Sequence, residues 1–446
     1  MKKFLRLPFF VRSVIVLALF SSTLVLGAVD KESWLTTGGS KVIYVQTDVI
    51  PMVDISVDFP AGSVFDPVAK QGVARMVLGT LDKGTDTKDE NQISELFASI
   101  GTQLGGSFDF DRSGVTMRSL SYKKELDESV ELLSEILGGP SFPEAAIDRE
   151  RESILTSIRE MEIRPGSVAA KLFISKIYGE HPYGNSTYGT RETVSTITRE
   201  DLLQFYKQHF FSESAVITIV GDIPKARAKE ISEELSLAIG SQTASIVGEF
   251  SEVSSLPGGE FVVENPASQA HVRIGIPGLQ RGDPDYLALT LANQILGGGG
   301  MTSLLNDELR EKRGLTYGVY SYFSPLQFSG AFVISFTTKK DQVWEAVDVT
   351  MEIANKFVEK GPTEQELVAA KKYFIGAFAL NVDSNAELLD YFSTVGFYNL
   401  PLDSIDTFKQ RVEQITLDEV RDALKRRVNF SNAVKVIVGP KPRDLN

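Results

Sequence analysis

The sequence predicts an α+β protein made of two tandem copies of one domain, each an α/β roll (a mixed sheet flanked by helices), closed on one another as a clam-shell. Three observations lead there. The stretch Ile197–Asp222, ITREDLLQFYKQHFFSESAVITIVGD, returns as Ile415–Pro440, ITLDEVRDALKRRVNFSNAVKVIVGP, at an offset of 218 residues, with Ile197 on Ile415, Ala215 on Ala433 and Gly221 on Gly439. Strand-like and helix-like segments are mixed without the regular βαβ order of a parallel sheet. A chain of 446 residues also exceeds what a single compact core accommodates.

Taken in order, the chain opens with Lys2, Lys3, Arg6 and Arg12, an apolar run from Val14 to Leu26, and then Gly27 and Ala28. That is the pattern of a cleaved export signal over residues 1–28. The run is short for a bilayer span, and Ser21, Ser22 and Thr23 interrupt it, so no stable membrane insertion is expected after cleavage. A bacterial periplasm is the simplest destination. Zero cysteines exclude a lipoprotein anchor, disulfides, thiolate catalysis and cysteine-based zinc sites together. The formal charge is −13, and loss of the four leader cations takes it to −17, which argues against nucleic acid as a partner.

Two domains follow, 29–240 and 260–446, joined by a serine- and glycine-rich linker at 241–259. Pro60 with Asp66 and Pro67 recurs as Pro277 with Asp283 and Pro284; Lys123–Lys124 recurs as Lys339–Lys340; Pro143 recurs as Pro362. Each half reads as strand, Asp-Pro turn, helix, glycine break, helix, two strands, helix, long helix, further helix and final strand. The long helix around Glu144–Met161 places Ile147, Ile154, Ile158 and Met161 on one stripe. Both repeated segments open on a capping box, Thr198 with Asp201 and Thr416 with Glu419.

The most informative stretch is Leu296–Phe323, LGGGGMTSLLNDELREKRGLTYGVYSYF. It reads as a glycine hinge, a helix of about three turns with Leu304, Leu305 and Leu309 on one face, a stop at Gly314, and an alternating strand. Alternation puts Tyr317, Val319, Ser321 and Phe323 on one strand face, with Tyr320 and Tyr322 on the other. A guanidinium (Arg310) and a phenol (Tyr317) therefore flank a helix-to-strand turn. Such donors suit a scissile carbonyl and the oxyanion formed on it. On spacing alone, a capping arginine and an amphipathic strand tyrosine is the better account.

This layout resembles the pitrilysin/insulinase family of zinc metallopeptidases, in the short two-domain form that includes mitochondrial processing peptidase. The resemblance covers the whole mature chain. GGGGMTSLLNDELREKRGLTYGVYSY is similar to that family's carbonyl-binding segment, which implies that Arg310 and Tyr317 hold the substrate carbonyl. In the first half, ARMVLGTLDKGT is similar to the segment carrying the inverted zinc motif His-x-x-Glu-His. In that register Arg75 and Gly79 stand where the histidines belong, and Leu78 where the general-base glutamate belongs. ERESILTSI resembles the helix of the third ligand, with Ser157 in its place and Glu150 matching only a supporting acid. The resemblance also implies that Gly105, Gly106 and Ser107 lie on an edge strand to which an extended peptide adds. An ordinary core strand bulged at its glycines fits those residues equally.

Composition agrees about the metal. A catalytic zinc needs about three N, O or S ligands, and the three histidines, His181, His209 and His271, are scattered, no two within a helical turn. There is no G-x-S-x-G elbow, and Gly297–Gly300 lacks the Gly-Lys-Ser/Thr of a P-loop. No cofactor is expected in this chain. Two functions remain. One is the zinc-free subunit of a two-chain metallopeptidase that degrades peptides, with the zinc in a homologous partner. The other is an inactive peptide-binding or scaffold protein of the cell envelope, acting alone or as a homodimer.

Overall fold

The computed structural model describes residues 30–241, 252–254, 256–380, 382–439 and 441. The expected export signal and most of the expected linker lie outside them. Among the described residues the first sheet holds β1 (Lys31–Leu35), β2 (Lys41–Gln46), β3 (Met52–Phe59), β4 (Gln103–Phe108), β5 (Ser113–Leu120) and β6 (Val216–Gly221), in the order β1-β2-β6-β3-β5-β4. The second holds β7 (Gly259–Glu264), β8 (Gln269–Pro277), β9 (Thr316–Ser324), β10 (Ala331–Lys339) and β11 (Val434–Gly439), in the order β7-β11-β8-β10-β9. Apart from β1 the two orders are the same walk. In each, one pair is parallel (β2 with β6, β7 with β11) and the other neighbours are antiparallel. The repeat seen in the chain is thus a repeat of topology, and it makes β4 and β9 equivalent strands, each at a sheet edge.

Local chemistry explains the elements. Both capping boxes form: Thr198 accepts from the Asp201 N–H and Thr416 from the Glu419 N–H, each reciprocated by the acid. The matched Gly221 and Gly439 end their strands at φ +152° and +142°. There a β-carbon would also meet the neighbouring strand's backbone, so the same residue recurs for the same reason. The long helix is Glu144–Ile163, with Ala146, Ile147, Ile154 and Ile158 buried.

Each half lends a helix to the other. Pro165–Tyr178 from the first half packs on β8 and β11, and Asn385–Phe397 from the second packs on β6 and β3. Phe173 and Ile177 share a core with Val333, Val436 and Val438. Leu389 and Phe392 share one with Ile43, Val45 and Val220. The approach is close: a β-carbon at Gly275 would lie 2.6 Å from the Phe173 ring, and one at Gly396 2.7 Å from Val216. A buried polar seam adds specificity. The Asp111 carboxylate accepts from the hydroxyls of Tyr183 and Tyr398 and from the Gln327 N–H at 2.8 Å. Next to it, Arg112 donates to Ser393 at 3.3 Å and lies 3.8 Å from buried Asp58. Burial pushes the Asp111 carboxyl up from its ordinary value, against the bonds from the two tyrosines.

Two expectations for Leu296–Phe323 need correction. The glycines are not a hinge before a three-turn α-helix. The helix Tyr286–Asn293 continues through a π-helical turn, Gln294–Gly298, in which Gly297 is buried. Leu304–Asn306 then makes one short turn and Asp307–Lys312 a second π-helical turn. Leu305, Asn306 and Leu309 are buried while Leu304 is half-buried, so the inward face is shifted toward Asn306 from the Leu304/Leu305/Leu309 stripe expected. The strand faces also differ. Between Val319, paired with Phe336, and Thr316, paired with Thr338, β9 carries one extra residue. This bulge reverses the alternation, so Tyr317 joins Tyr320 and Tyr322 on the exposed face while Val319 and Ser321 are buried.

Candidate functional site

The carbonyl-binding candidates sit where the second π-helical turn meets the edge strand β9. Gly314, at φ +63°, closes the turn: its N–H bonds the Arg310 carbonyl at 3.0 Å and the Leu315 N–H bonds the Leu309 carbonyl at 2.7 Å. The first is the single bond of a left-handed C-terminal cap and the second spans six residues, as suits a widened turn, with Leu309 and Leu315 both buried beneath it. The bulge that follows is held by the Thr316 hydroxyl, which donates to the Thr337 carbonyl at 2.8 Å and accepts from the Gly318 N–H. Tyr317 is left 81% exposed. Arg310 is half-exposed, reaches the Met301 thioether and lies 3.4 Å from Glu311. Both donors therefore stand at the surface of the same turn-and-strand unit.

Sequence reasoning missed what holds that unit. Asn306, 1% exposed, donates to the carbonyls of Val319 (2.6 Å) and Gly300 (2.9 Å) and accepts from the Val319 N–H (3.2 Å). Asn293 donates to the Ser321 carbonyl at 2.9 Å and accepts from the Ser321 hydroxyl. Two buried carboxamides thus fasten β9 to the helical segments on its inner side. Replacing Asn306 by alanine strands a buried N–H and C=O of β9, which costs about 1–3 kcal/mol. The expected result is faster amide exchange at Val319 than at residues of β8, measured by hydrogen exchange.

The residues expected at the lost metal positions lie in the first half, on the helix Val73–Thr80, at whose start the Asp66 carboxylate accepts from the N–H groups of Gly72 (2.6 Å) and Ala74 (2.9 Å). The Arg75 guanidinium stacks between Tyr188 (3.8 Å to the ring centroid) and Phe108 at the end of β4 (4.6 Å), and its Nε donates to the Thr187 carbonyl at 3.1 Å. Leu78 packs toward Gly106 of β4, its methyls 3.4 Å from where a β-carbon would stand. Glu150 lies over Gly79: a β-carbon there would sit 2.6 Å from its Oε1. Burial lowers the Arg75 pKa and raises that of Glu150, the attraction between them opposing both shifts. Ser157 is half-buried on the helix Glu144–Ile163, two turns beyond Glu150.

These residues do not fit zinc. The guanidinium of Arg75, the isobutyl group of Leu78, the bare Cα of Gly79 and the hydroxyl of Ser157 offer no imidazole, carboxylate or thiolate ligand. Among the described residues, no group of three His, Cys, Asp or Glu could hold a metal ion. The histidines are apart: His181 accepts from the Tyr183 N–H, His209 is buried with Nδ1 3.1 Å from the Pro60 carbonyl and is held near 4 by burial, and His271 belongs to β8. Gly105 and Gly106 are exposed and Ser107 half-buried on β4, whose only sheet neighbour among the described residues is β5. No described helix is long and apolar enough to cross a membrane.

Comparison with known proteins agrees with this architecture. Residues 41–191 match the family model described as insulinase (peptidase family M16), and residues 196–374 the one described as peptidase M16 inactive domain. A peptidase M16 inactive domain from Pseudomonas fluorescens, known as a crystal structure, superposes with a TM-score of 0.88 at 31% identity, over 93% of this chain and 98% of that one. The chain is 26% identical over 410 residues to a Helicobacter pylori protein named non-peptidase homolog YmxG, covering 90% of this chain and 92% of that one. It is equally 26% identical, over 415 residues, to an uncharacterized zinc protease of Streptomyces coelicolor, covering 90% and 88%. With both halves matched and the fold shared, this chain belongs to the M16 peptidase family, in its two-domain form.

Proposed function

We propose that this chain is the zinc-free subunit of a two-chain M16 metallopeptidase that degrades peptides. The observation that carries the reading is the asymmetry between the halves. The positions expected to hold the metal are filled by Arg75, Leu78, Gly79 and Ser157, whereas half-exposed Arg310 and exposed Tyr317 stand on a turn held by the Gly314 cap, a bulge and buried Asn306. A homologous partner supplies zinc and the glutamate that activates water. This chain contributes N–H and O–H donors to the carbonyl oxygen as it becomes an oxyanion, without either group having to change protonation. Gly105, Gly106 and Ser107 on the open edge of β4 receive the main chain of an unfolded or short peptide. Residues 1–28 direct export to the periplasm, and residues 241–259 join the domains 29–240 and 260–446.

The test is reconstitution. The chain alone cleaves nothing. Mixed with a zinc-bearing relative from the same genome, it raises peptide hydrolysis well above either chain alone, and a chelator abolishes the gain. Tightly held zinc together with hydrolysis by this chain in isolation would overturn the reading. A second reading is a homodimeric peptide-binding scaffold of the envelope, and its lack of peptidase activity is in line with the name non-peptidase homolog borne by the Helicobacter relative. Stable self-dimers that bind peptides, never cleave them and capture no zinc-bearing relative would select it.

A further inference from the structure

The Arg75 site is not a finished ion pair. Its Nε is committed to Thr187, but among the described residues its Nη groups donate to nothing. Glu150, also half-buried, has no hydrogen bond and no cation within ion-pair distance among the described residues, although the Arg75 and Lys83 charges both oppose the rise that burial gives its pKa, and Asp82 adds to that rise. A half-buried guanidinium and a half-buried carboxylate thus stand about one helical turn apart, at Arg75 and over Gly79, with no direct hydrogen bond between them. The guanidinium plane is fixed between Tyr188 and Phe108, so its orientation is set beforehand. Phe108 is the last residue of β4, and Leu78 between Arg75 and Gly79 touches the same strand at Gly106. Thr187 and Tyr188 also line an open cavity of about 620 Å³ with Phe110, Ile158, Met161 and Leu172, which is largely apolar.

We infer that the lost metal position has become a metal-free clamp for one peptide unit of an extended chain lying along β4. Arg75 Nη donates to the unit's carbonyl and Glu150 accepts from an amide N–H. An adjacent apolar side chain enters the cavity beyond Tyr188. The charges cancel within the pair, so the clamp selects the neutral dipole of a main chain over an anion; a carboxylate would meet Glu150. The inference rests on reading β4 as the peptide-binding edge, but not on any partner subunit.

The experiment is equilibrium binding to the full chain alone. The probe is a fluorescein-labelled nonapeptide of Val, Thr, Ser and a central Leu, capped at both ends. Parallel arms use the same peptide with a free C-terminal carboxylate, and the same peptide N-methylated at alternate residues. Capped and free-carboxylate peptides are expected to bind alike, and the N-methylated one is expected to fail. Arg75→Gln and Glu150→Gln should each weaken binding about tenfold or more, as for a lost hydrogen bond to a charged group. Thermal melting of each variant checks the fold, and Glu150→Gln, isosteric and half-exposed, stands in if Arg75→Gln does not fold. Wild-type affinity in both variants, with N-methylation still blocking, would overturn the clamp and leave the edge reading standing. Binding only of the free carboxylate would make Arg75 an anion site and also overturn it. No binding by the wild type would remove the edge reading and the clamp together. Peptide binding through Arg75 and Glu150 with no gain in a partner's turnover would keep the clamp and end the subunit reading.

Discussion

Arg310→Ala in the reconstituted mixture is expected to lower peptide turnover by about 10²–10³-fold, the usual effect of removing one oxyanion donor, and Tyr317→Phe to act in the same direction. The loss should fall on kcat more than on KM, since these donors gain strength only as charge develops on the oxygen. Neither change should disturb the fold. Tyr317 is 81% exposed, and Arg310 makes only surface contacts with Met301 and Glu311. Melting curves of the variants should therefore overlay the wild type. A mixture that hydrolyses peptide at the wild-type rate with both donors removed would sink the assigned role, because no described contact gives these side chains a structural duty to fall back on.

Phe173→Ala should cost about 3–5 kcal/mol of stability, the range for deleting a fully buried aromatic side chain. Phe173 is 0% exposed and belongs to the first half, yet its ring lies against Gly275 of the second. The cavity left would open at the seam between the halves, where Val333, Val436 and Val438 stand on a stiff sheet and cannot collapse into it. Urea unfolding is the measurement: the midpoint should fall, and the transition should broaden or split as the halves uncouple. A loss below about 1 kcal/mol would mean that the lent helix does not hold the clam-shell together.

How much of this was readable beforehand varies with the range of the interaction. The stop at Gly314 and the two capping boxes were legible because each is a bond between residues a few places apart, which leaves a fixed spacing in the chain. The outward turn of Tyr317 was not. Alternation places it with Val319, and only the register of β9 against β10 inserts the extra residue. Asn306 escaped notice for a similar reason. A carboxamide that bonds a strand thirteen residues later has no local signature, and in a helical pattern it reads as a polar surface position.

The chain by itself determined its duplication, its mixed α+β class and its lack of zinc ligands, because repetition, periodicity and the inventory of donor atoms are properties of the covalent order. It also marked Arg310 and Tyr317 as neighbours across a turn. Tertiary structure alone decided that each half covers the other's sheet, that β4 and β9 are equivalent edge strands among the described residues, and that the Arg75 guanidinium lies stacked between Tyr188 and Phe108. Those outcomes depend on which surfaces meet across more than a hundred residues of chain, and complementarity of that kind is settled only when the sheets and helices have packed.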